Sequence, residues 1–176
     1  MITKVDAPES FTTLRLRGDR VDGADAAFFE AMFSDPRVYA TLGGARDAAN
    51  VASLVAAKVR EWDHHGFGTW VLRPASGSAP LGWVGLKPTN VGGPGGTELL
   101  YAIAADHWGF GYATEAASTV VGIGDKPLGI DELVAFALTT NIGSRRVMEH
   151  VGFGYERDIE HAGLPHALYR RRCPDG

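Results

Sequence analysis

Apolar residues recur along the chain with two different spacings, and the changes between them mark the predicted elements. Residues 12–17 (TTLRLR) alternate between apolar and polar, which is typical of a half-buried strand. Between residues 51 and 62 the apolar positions instead follow helical spacing, which predicts a helix of about four turns ending near Gly66. A shorter helix is predicted between Asp22, a suitable N-cap, and the pair Asp35 and Pro36.

The remaining segments divide in the same way. Strands are predicted at 67–74, 81–88, 97–104, 132–139, 153–160 and 166–172. Helices are predicted over 113–121, ended by the glycines and proline at 122, 124 and 127, and over 141–150, ended by Gly152. The first two of these strands form a hairpin, and the largely apolar 132–139 belongs in the middle of a sheet. With no internal repeat and no linker, the pattern predicts one mixed α/β domain over residues 1–176.

Composition narrows the classes of function. The 176 residues carry a net charge of −4 with a pI near 5.8, which disfavours binding to nucleic acid or to an anionic membrane. The single cysteine, Cys173, allows no disulfide framework, and no leader or membrane-spanning run is evident, so a cytoplasmic location is expected. No metal site is expected, because the six histidines form no His-x-x-x-His helix pair and no cysteine pair exists.

The stretch WGFGYATEA (108–116) is the most informative for chemistry. Gly109 and Gly111 allow backbone to bend sharply or to approach a ligand closely, and a predicted helix begins directly afterwards. The free N–H groups at that helix start favour an anion, most often a phosphate. The alternative is a tight turn that binds nothing. A dinucleotide-binding fingerprint is excluded because Thr114 replaces its third glycine, and a Walker loop is excluded because no lysine is present.

Three segments together carry a family resemblance: ELLYAIA (98–104), WGFGYATEA and TNIGSRRVMEHVGF (140–153). They resemble the N-acetyltransferases of the GNAT superfamily, in particular the RimJ/RimL-type branch that acetylates N-terminal amines of ribosomal proteins. The resemblance runs from TTLRLR through SDPRV, HGFGTWVLR and LGWVGL to GLPHALYRRR. It implies an α+β type fold, in which a twisted and mostly antiparallel sheet has helices on both faces. It also implies acetyl-coenzyme A as cosubstrate, no metal, and direct transfer to a primary amine.

The resemblance further implies which residues hold coenzyme A. Backbone N–H groups of residues 109–114 would surround the pyrophosphate, and the strand edge around residues 102–104 would pair with the pantetheine amides. The N–H of Ile103 would hold the thioester oxygen. Asn141 would contact pantetheine, although it also suits a plain N-cap role. The expected cofactor residues are Ala102, Ile103, Ala104, Gly109, Phe110, Gly111, Tyr112, Ala113, Thr114, Asn141 and Arg146.

One departure from the family concerns charge in the loop. Phe110 stands where relatives often carry Lys or Arg, so the loop has no cationic side chain of its own. Arg145 or Arg146 is therefore expected to supply charge to the pyrophosphate.

Two residues are candidates for catalysis. The resemblance implies that Ser144 lies near the departing sulfur, where a tyrosine often stands in the wider superfamily, although Ser144 also suits a plain role in the first turn of its helix. Glu98 matches an acidic position common in this branch and is expected to accept the proton of the amine. Glu98 is equally compatible with a solvated carboxylate at a strand end. Rival bases are His64, His65 and His107; the hairpin between His161 and His166 either faces the acceptor or is simply a turn.

The acceptor amine stays open, because a protein N-terminus and a small-molecule amine are both compatible with the sequence. A chain of this fold that binds an acyl-coenzyme A as a sensor or interaction domain, without turnover, is the main alternative. A longer acyl chain and a homodimer are also compatible with the sequence.

Overall fold

A computed structural model describes residues 6–44 and 47–173, and within them eight strands form one sheet in the order β1-β2-β3-β4-β5-β6-β8-β7. The strands are β1 (Ser10–Thr12), β2 (Leu16–Arg20), β3 (Thr69–Pro74), β4 (Gly82–Thr89), β5 (Gly96–Ile103), β6 (Glu132–Leu138), β7 (Gly154–His161) and β8 (Leu164–Arg172). The helices are α1 (Ala26–Ser34), α2 (Pro36–Tyr39), α3 (Ala48–His65), α4 (Tyr112–Asp125) and α5 (Ile142–His150). The predicted single domain extends over residues 1–5, 45–46 and 174–176, which lie outside this description.

The sheet is antiparallel everywhere except between β5 and β6. These two strands are parallel because α4 carries the chain across from one to the other. Their pairing joins Thr97 to Leu133 and Glu98 to Val134, at the beginning of each strand. Among the described residues no register is formed between the later parts of these two strands, so the sheet is open at its centre.

Helices cover both faces of the sheet, as the sequence predicts. On one face Lys58 of α3 bonds to Thr69 and lies over the ring of Trp83. On the other face, α4 packs against Leu86 of β4, which points to the side opposite from Trp83. The mixed α/β fold with a mostly antiparallel sheet is therefore confirmed. The buried position of β6 in the middle of the sheet is confirmed as well.

The predicted first strand over 12–17 is wrong, because the chain turns within it. The amide of Thr13 donates to the carbonyl of Leu16, and the amide of Leu16 donates back to Thr13 Oγ1 at 3.0 Å. This turn leaves Leu14 91% exposed, and it folds β1 antiparallel onto β2. A side-chain oxygen that satisfies a backbone amide competes with strand pairing, which the alternating pattern does not reveal.

The helix predicted over 113–121, with Gly122, Gly124 and Pro127 at its end, is longer in the structure. α4 runs through both glycines to Asp125, and Pro127 follows two residues further on. A glycine in a helix costs about 1 kcal/mol relative to alanine. Burial of Val121 and Ile123 within the core offsets that cost, because both lie on the buried side of the last turn.

Gly66 and Gly122 differ in backbone conformation and in the space around the position that a Cβ atom would take. Gly66 ends α3 in the left-handed region at φ 71°, and a Cβ there would lie 1.9 Å from an oxygen of Asp6. Gly122 has helical backbone, and nothing lies within 4 Å of its Cβ position. We expect Gly66→Ala to lower the free energy of unfolding by about 1–2 kcal/mol. We expect Gly122→Ala to raise it by about 0.5–1 kcal/mol. Urea denaturation of both variants checks this pair, and equal signs would contradict it.

Candidate active site

A cavity of about 950 Å³ occupies the opening between β5 and β6. We call this opening the strand gap; its walls are residues 100–103 of β5 and 135–138 of β6. The cavity brings together most residues predicted for the site, namely Glu98, Ala102, Ile103, Gly109, Gly111, Tyr112, Ala113, Thr114, Asn141 and Ser144. Ala104, Phe110 and Arg146 do not line it. The ligand contacts assigned to all these residues stay predictions.

Backbone groups of β5 face two different directions along the strand gap. The amide of Ala104 donates to the carbonyl of Leu81 at 2.8 Å and so faces β4. The carbonyl of Ile103 instead accepts a hydrogen bond from the indole of Trp108 at 2.7 Å, on the side away from β4. Because the N–H and C=O of one strand residue point the same way, the amides of Ile103 and Tyr101 face the strand gap.

The loop after β5 has the geometry of an anion site. Gly109 and Gly111 lie in the left-handed region, at φ 81° and 79°, which side chains rarely adopt. Gly111 is the residue directly before α4, and its carbonyl accepts the first helical hydrogen bond, from Glu115. The amides of Tyr112, Ala113 and Thr114 belong to the first turn, where no preceding carbonyl can reach them. Together with the helix dipole, these donors favour a phosphate.

A cation reaches this loop from outside it, from the turn between β1 and β2. Arg15 donates to the carbonyl of Phe110 at 2.8 Å, and its guanidinium lies 4.8 Å from the centre of the Tyr112 ring. It also forms a two-pronged ion pair with Glu115 of α4, at 2.7 Å for each nitrogen. Arg15 is 43% exposed, so part of its charge faces solvent beside the loop.

Glu115 holds the arginine in place. Its carboxylate accepts from the hydroxyl of Thr13 and from the amide of Arg15, in addition to the guanidinium. Burial raises the pKa of Glu115, but these hydrogen bonds and the charge of Arg15 outweigh it and lower the pKa overall. The carboxylate is therefore ionised at neutral pH and fixes Arg15 against the loop.

Of the two arginines expected to supply charge to the loop, Arg145 is bonded to the sheet. It donates to the hydroxyl of Tyr169 and to the carbonyl of Thr139, both at 3.1 Å. Arg146 is exposed on α5, and its contact with the pyrophosphate stays a prediction. Arg15, by contrast, is in direct contact with the loop.

A tyrosine contacts Ser144, whose hydroxyl is predicted to lie near the departing sulfur. Asn141 caps α5 by accepting from the amide of Ser144, at the expected third position. The hydroxyl of Tyr101 donates to the carbonyl of Ser144 at 2.9 Å and lies 3.0 Å from its Oγ. Burial raises the pKa of the Tyr101 phenol well above its usual value, so it stays protonated. The matching helix has no tyrosine, but β5 supplies one from across the strand gap.

Glu98 is a desolvated carboxylate rather than a solvated strand end. Burial raises its pKa to about 7, and the nearby charge of Glu61 raises it further, while Lys87 and Lys58 oppose the shift. Lys87 is its direct cross-strand partner in the register of β4 and β5. A carboxylate with a pKa near 7 is half ionised at neutral pH, which suits a group that takes up a proton.

Histidines form the outer wall of the same cavity. His161 and His166, at the two ends of the β7–β8 turn, contact each other and Phe136 in edge-to-face fashion. Burial lowers the pKa of His161, and the charges of His166 and Lys87 lower it further. His107 also lines the cavity, whereas His64 and His65 stand at the end of α3 away from it.

Comparison with known proteins agrees with this geometry. The model of the acetyltransferase (GNAT) domain family matches residues 14–154. The chain belongs to the GNAT acetyltransferase family. It is 28% identical over 169 residues to YkkB, an uncharacterized protein of Bacillus subtilis (strain 168), with 96% of this chain and 98% of that protein covered.

Solved GNAT structures share the fold. An acetyltransferase from Agrobacterium tumefaciens str. C58 superposes with a TM-score of 0.82 at 22% identity, over 94% of this chain and 95% of that one. RimL, a ribosomal L7/L12 alpha-N-protein acetyltransferase solved in complex with coenzyme A, gives 0.76 at 13% identity, over 93% and 98%. The GNAT chain is accordingly an acyltransferase enzyme, and members of its family use acetyl-coenzyme A.

Within the described residues of this GNAT chain, neither a metal site nor a membrane-spanning helix is found. Residues 6–44 and 47–173 contain no group of three or more His, Cys, Asp or Glu side chains arranged to hold a metal ion. In the same residues no helix is long and apolar enough to cross a membrane.

Four side chains of the site were not predicted from the sequence. Arg15 and Glu115 are 100 residues apart, and Tyr101 and Ser144 are 43 apart, so no local pattern joins them. Tyr101 lies two residues before Ile103 in the same predicted strand, so the sequence does indicate that the two residues face the same side of β5. Lys87 is apparent only from the register of β4 against β5.

Arg15 offers a direct test of the loop. Arg15→Met removes the hydrogen bonds to Phe110 and Glu115, so we expect coenzyme A to bind about tenfold more weakly, the effect of one charge-assisted hydrogen bond. Arg15→Lys should recover only part of the affinity, because a lysine lacks the planar fork. Isothermal titration calorimetry measures both. Arg17→Met is the matched control, since Arg17 pairs with Asp19 instead. Wild-type affinity in a folded Arg15→Met protein would remove Arg15 from the cofactor site.

Proposed function

We propose that this GNAT chain transfers the acetyl group of acetyl-coenzyme A directly to a primary amine, and that it belongs to the RimJ/RimL-type branch that its motifs resemble. One observation carries the proposal. A single cavity passes through the strand gap. It joins the loop of Gly109 and Gly111, whose geometry suits an anion, to the desolvated carboxylate of Glu98. That arrangement suits two substrates that meet from opposite sides of the sheet.

The residues present fit coenzyme A. The amides of Tyr112, Ala113 and Thr114, with Arg15 beside them, offer donors and charge to the pyrophosphate. The pantetheine arm, which carries two amides, fits against the unpaired edge of β5 in the strand gap, as an added strand would. When bound, acetyl-coenzyme A supplies an activated acyl group whose thiol, with a pKa near ~8.5, is a tolerable leaving group.

The spacing along β5 favours one of two amides for the thioester oxygen. A strand rises about 3.3 Å per residue, so the Cα atoms of Glu98 and Ile103 lie roughly 16 Å apart. The Cα of Tyr101 lies only roughly 10 Å from that of Glu98 by the same measure. A reacting carbonyl whose attacking amine is served by Glu98 is therefore better placed for the amide of Tyr101 than for that of Ile103. We assign the developing negative charge to the Tyr101 amide.

Glu98 prepares the amine. A primary amine is protonated at neutral pH, and its lone pair becomes available only when that proton leaves. Glu98 accepts the proton, directly or through one water, and its raised pKa makes the transfer favourable near neutrality. The amine nitrogen then forms a bond to the thioester carbon, the C–S bond breaks, and the second proton that the nitrogen loses neutralises the departing thiolate. Holding both partners in one cavity supplies much of the rate.

Ser144 stabilises the departing sulfur, and Tyr101 positions Ser144. The phenol donates to the serine carbonyl, so the serine hydroxyl keeps its own proton available for the sulfur. Because burial keeps the phenol protonated, its O–H is able to turn from the carbonyl to Oγ, 3.0 Å away, and to donate a hydrogen bond there as the serine hydroxyl donates to the sulfur. Cys173, 35 residues after β6 ends, does not line the cavity and takes no part in transfer.

Turnover against pH tests the proposal as a whole. With acetyl-coenzyme A and a panel of saturating amines, release of free thiol should rise through pH 7 in the wild type, as Glu98 loses its proton. Glu98→Gln should lower the rate at pH 7 by about 10²–10⁴-fold, and the deficit should shrink toward the amine's own pKa. Glu61→Gln removes a neighbouring carboxylate that lies outside the cavity. This variant should keep the rise in rate with pH, with its midpoint near pH 7 or below, because the charge of Glu61 raises the pKa of Glu98. Coenzyme A binding without acetylation of any amine would instead support a sensor domain.

The pair Tyr101 and Ser144 gives a second, independent test. Ser144→Ala should lower kcat about tenfold, as expected for one lost hydrogen bond, with little change in coenzyme A affinity. Tyr101→Phe should lower kcat similarly, and the double variant should be no slower than either single one, because both act through the same hydroxyl. Tyr155→Phe, at an exposed tyrosine bonded to Asp158, is the control. A normal kcat in Tyr101→Phe would end its positioning role.

A further inference from the structure

The acceptor end of the cavity contains two opposite charges side by side. Lys87 and Glu98 are direct partners across β4 and β5, so their side chains leave the same face of the sheet about 5 Å apart at Cβ. Both line the cavity. An ordinary cross-strand pair of this kind closes into an ion pair, but these two do not approach within 4 Å of each other.

The two charges also differ in depth. Lys87 is exposed at the outer side of the cavity, whereas Glu98 is partly buried and its carboxylate is desolvated. In the described part of the chain, Lys87 makes no hydrogen bond or ion pair to a side chain, although it is close enough to His161 to influence it. A cationic group at the rim and an anionic group further in are thus both left for a ligand.

The rest of the lining limits what that ligand can be. Among the described residues that line the cavity, Glu98 is the only carboxylate and Lys87 the only lysine or arginine. A polyamine or another polycation would need several carboxylates and would be repelled by Lys87. A ligand with one amine and one anionic group has a partner for each charge.

Resting on the proposed function, we propose that the acceptor is a primary amine that carries an anionic group close to the amine, and that Lys87 binds that anionic group while Glu98 receives the amine. An α-amino carboxylate is the simplest molecule of this class. The apolar surface of Phe136 and the rings of His161 and His166 then face the remainder of the acceptor.

The main competing role for Lys87 is to tune Glu98 through its charge alone. The two roles make different predictions, because tuning changes the rate with every amine, whereas binding changes only the rate with anionic ones. A matched pair of acceptors separates them. Leucine and 3-methylbutylamine share one side chain and differ in the carboxylate.

The experiment measures kcat/KM for both acceptors with acetyl-coenzyme A in the full chain. Wild type should prefer leucine over 3-methylbutylamine. Lys87→Met should lower kcat/KM for leucine at least about tenfold more than for 3-methylbutylamine, the effect of a charge-assisted hydrogen bond, while a smaller loss common to both acceptors reports the charge of Lys87 on Glu98. Lys87→Arg should retain the preference. Lys126→Met, the same change at an exposed lysine after α4, should alter neither.

A second arm distinguishes a free amino acid from a protein N-terminus of the same chemistry. The peptide amide Asp-Ala-Ala-Ala carries its anionic group on the first side chain, and Asn-Ala-Ala-Ala amide is its neutral match. Preference for the Asp peptide, lost in Lys87→Met, would assign the class to acidic N-termini, and preference for leucine would assign it to free amino acids.

Two results would overturn the inference while leaving amine acetylation intact. One is a wild-type enzyme that prefers 3-methylbutylamine and the Asn peptide over their anionic matches. The other is an equal loss with all acceptors in Lys87→Met, which would mean that Lys87 only tunes Glu98. Failure of the proposed function looks different, because then no amine in either arm would be acetylated by the wild type.

Discussion

The site depends on the short pairing between β5 and β6. Each strand is fully paired on its other side, β5 to β4 over all eight residues and β6 to β8 over all seven. Each therefore stays in the sheet without bonding the other along its length. Thr97 pairs with Leu133 and Glu98 pairs with Val134, and these two pairings hold the strands together at one end. Beyond them the two strands form no register among the described residues. Unpaired backbone groups of a strand are costly if they are buried without partners, so the strand gap suits a ligand whose amides can take the place of a neighbouring strand.

Functional groups reach this opening from distant parts of the chain. The glycine loop and α4 supply backbone donors, but their cation comes from the turn between β1 and β2. The hydroxyl of Ser144 belongs to α5, and the tyrosine bonded to it belongs to β5. Glu115 therefore has a role beyond the first turn of its helix, since it joins the N-terminal hairpin to the loop. The loop, which has Phe110 and no cationic side chain of its own, thus meets a cation from a turn 95 residues earlier in the chain.

Local features were predictable, and contacts across the sheet were not. The hairpin of β3 and β4, the end of α3 at Gly66, the N-cap Asn141 and the glycine loop were predictable, because each depends on a few adjacent residues. The turn around Thr13 was not, because a side chain replaces a strand bond there, and α4 passes through Gly122 because packing outweighs propensity. The desolvation of Glu98 arises only after α3 covers the sheet, so both interpretations of that residue were equally compatible with its sequence.

Keeping Glu98 in this position works against the stability of the fold. Its pKa is near 7 in the folded chain and near 4.5, the usual value for glutamate, once the chain unfolds. Below pH 4.5 both states hold the proton and no penalty arises. Between pH 4.5 and 7 the unfolded state ionises this carboxylate freely while the folded state keeps it protonated, so stability falls across this interval and stays lower above pH 7. In the neutral and alkaline range a carboxylate at this position therefore lowers the stability of the protein instead of supporting it.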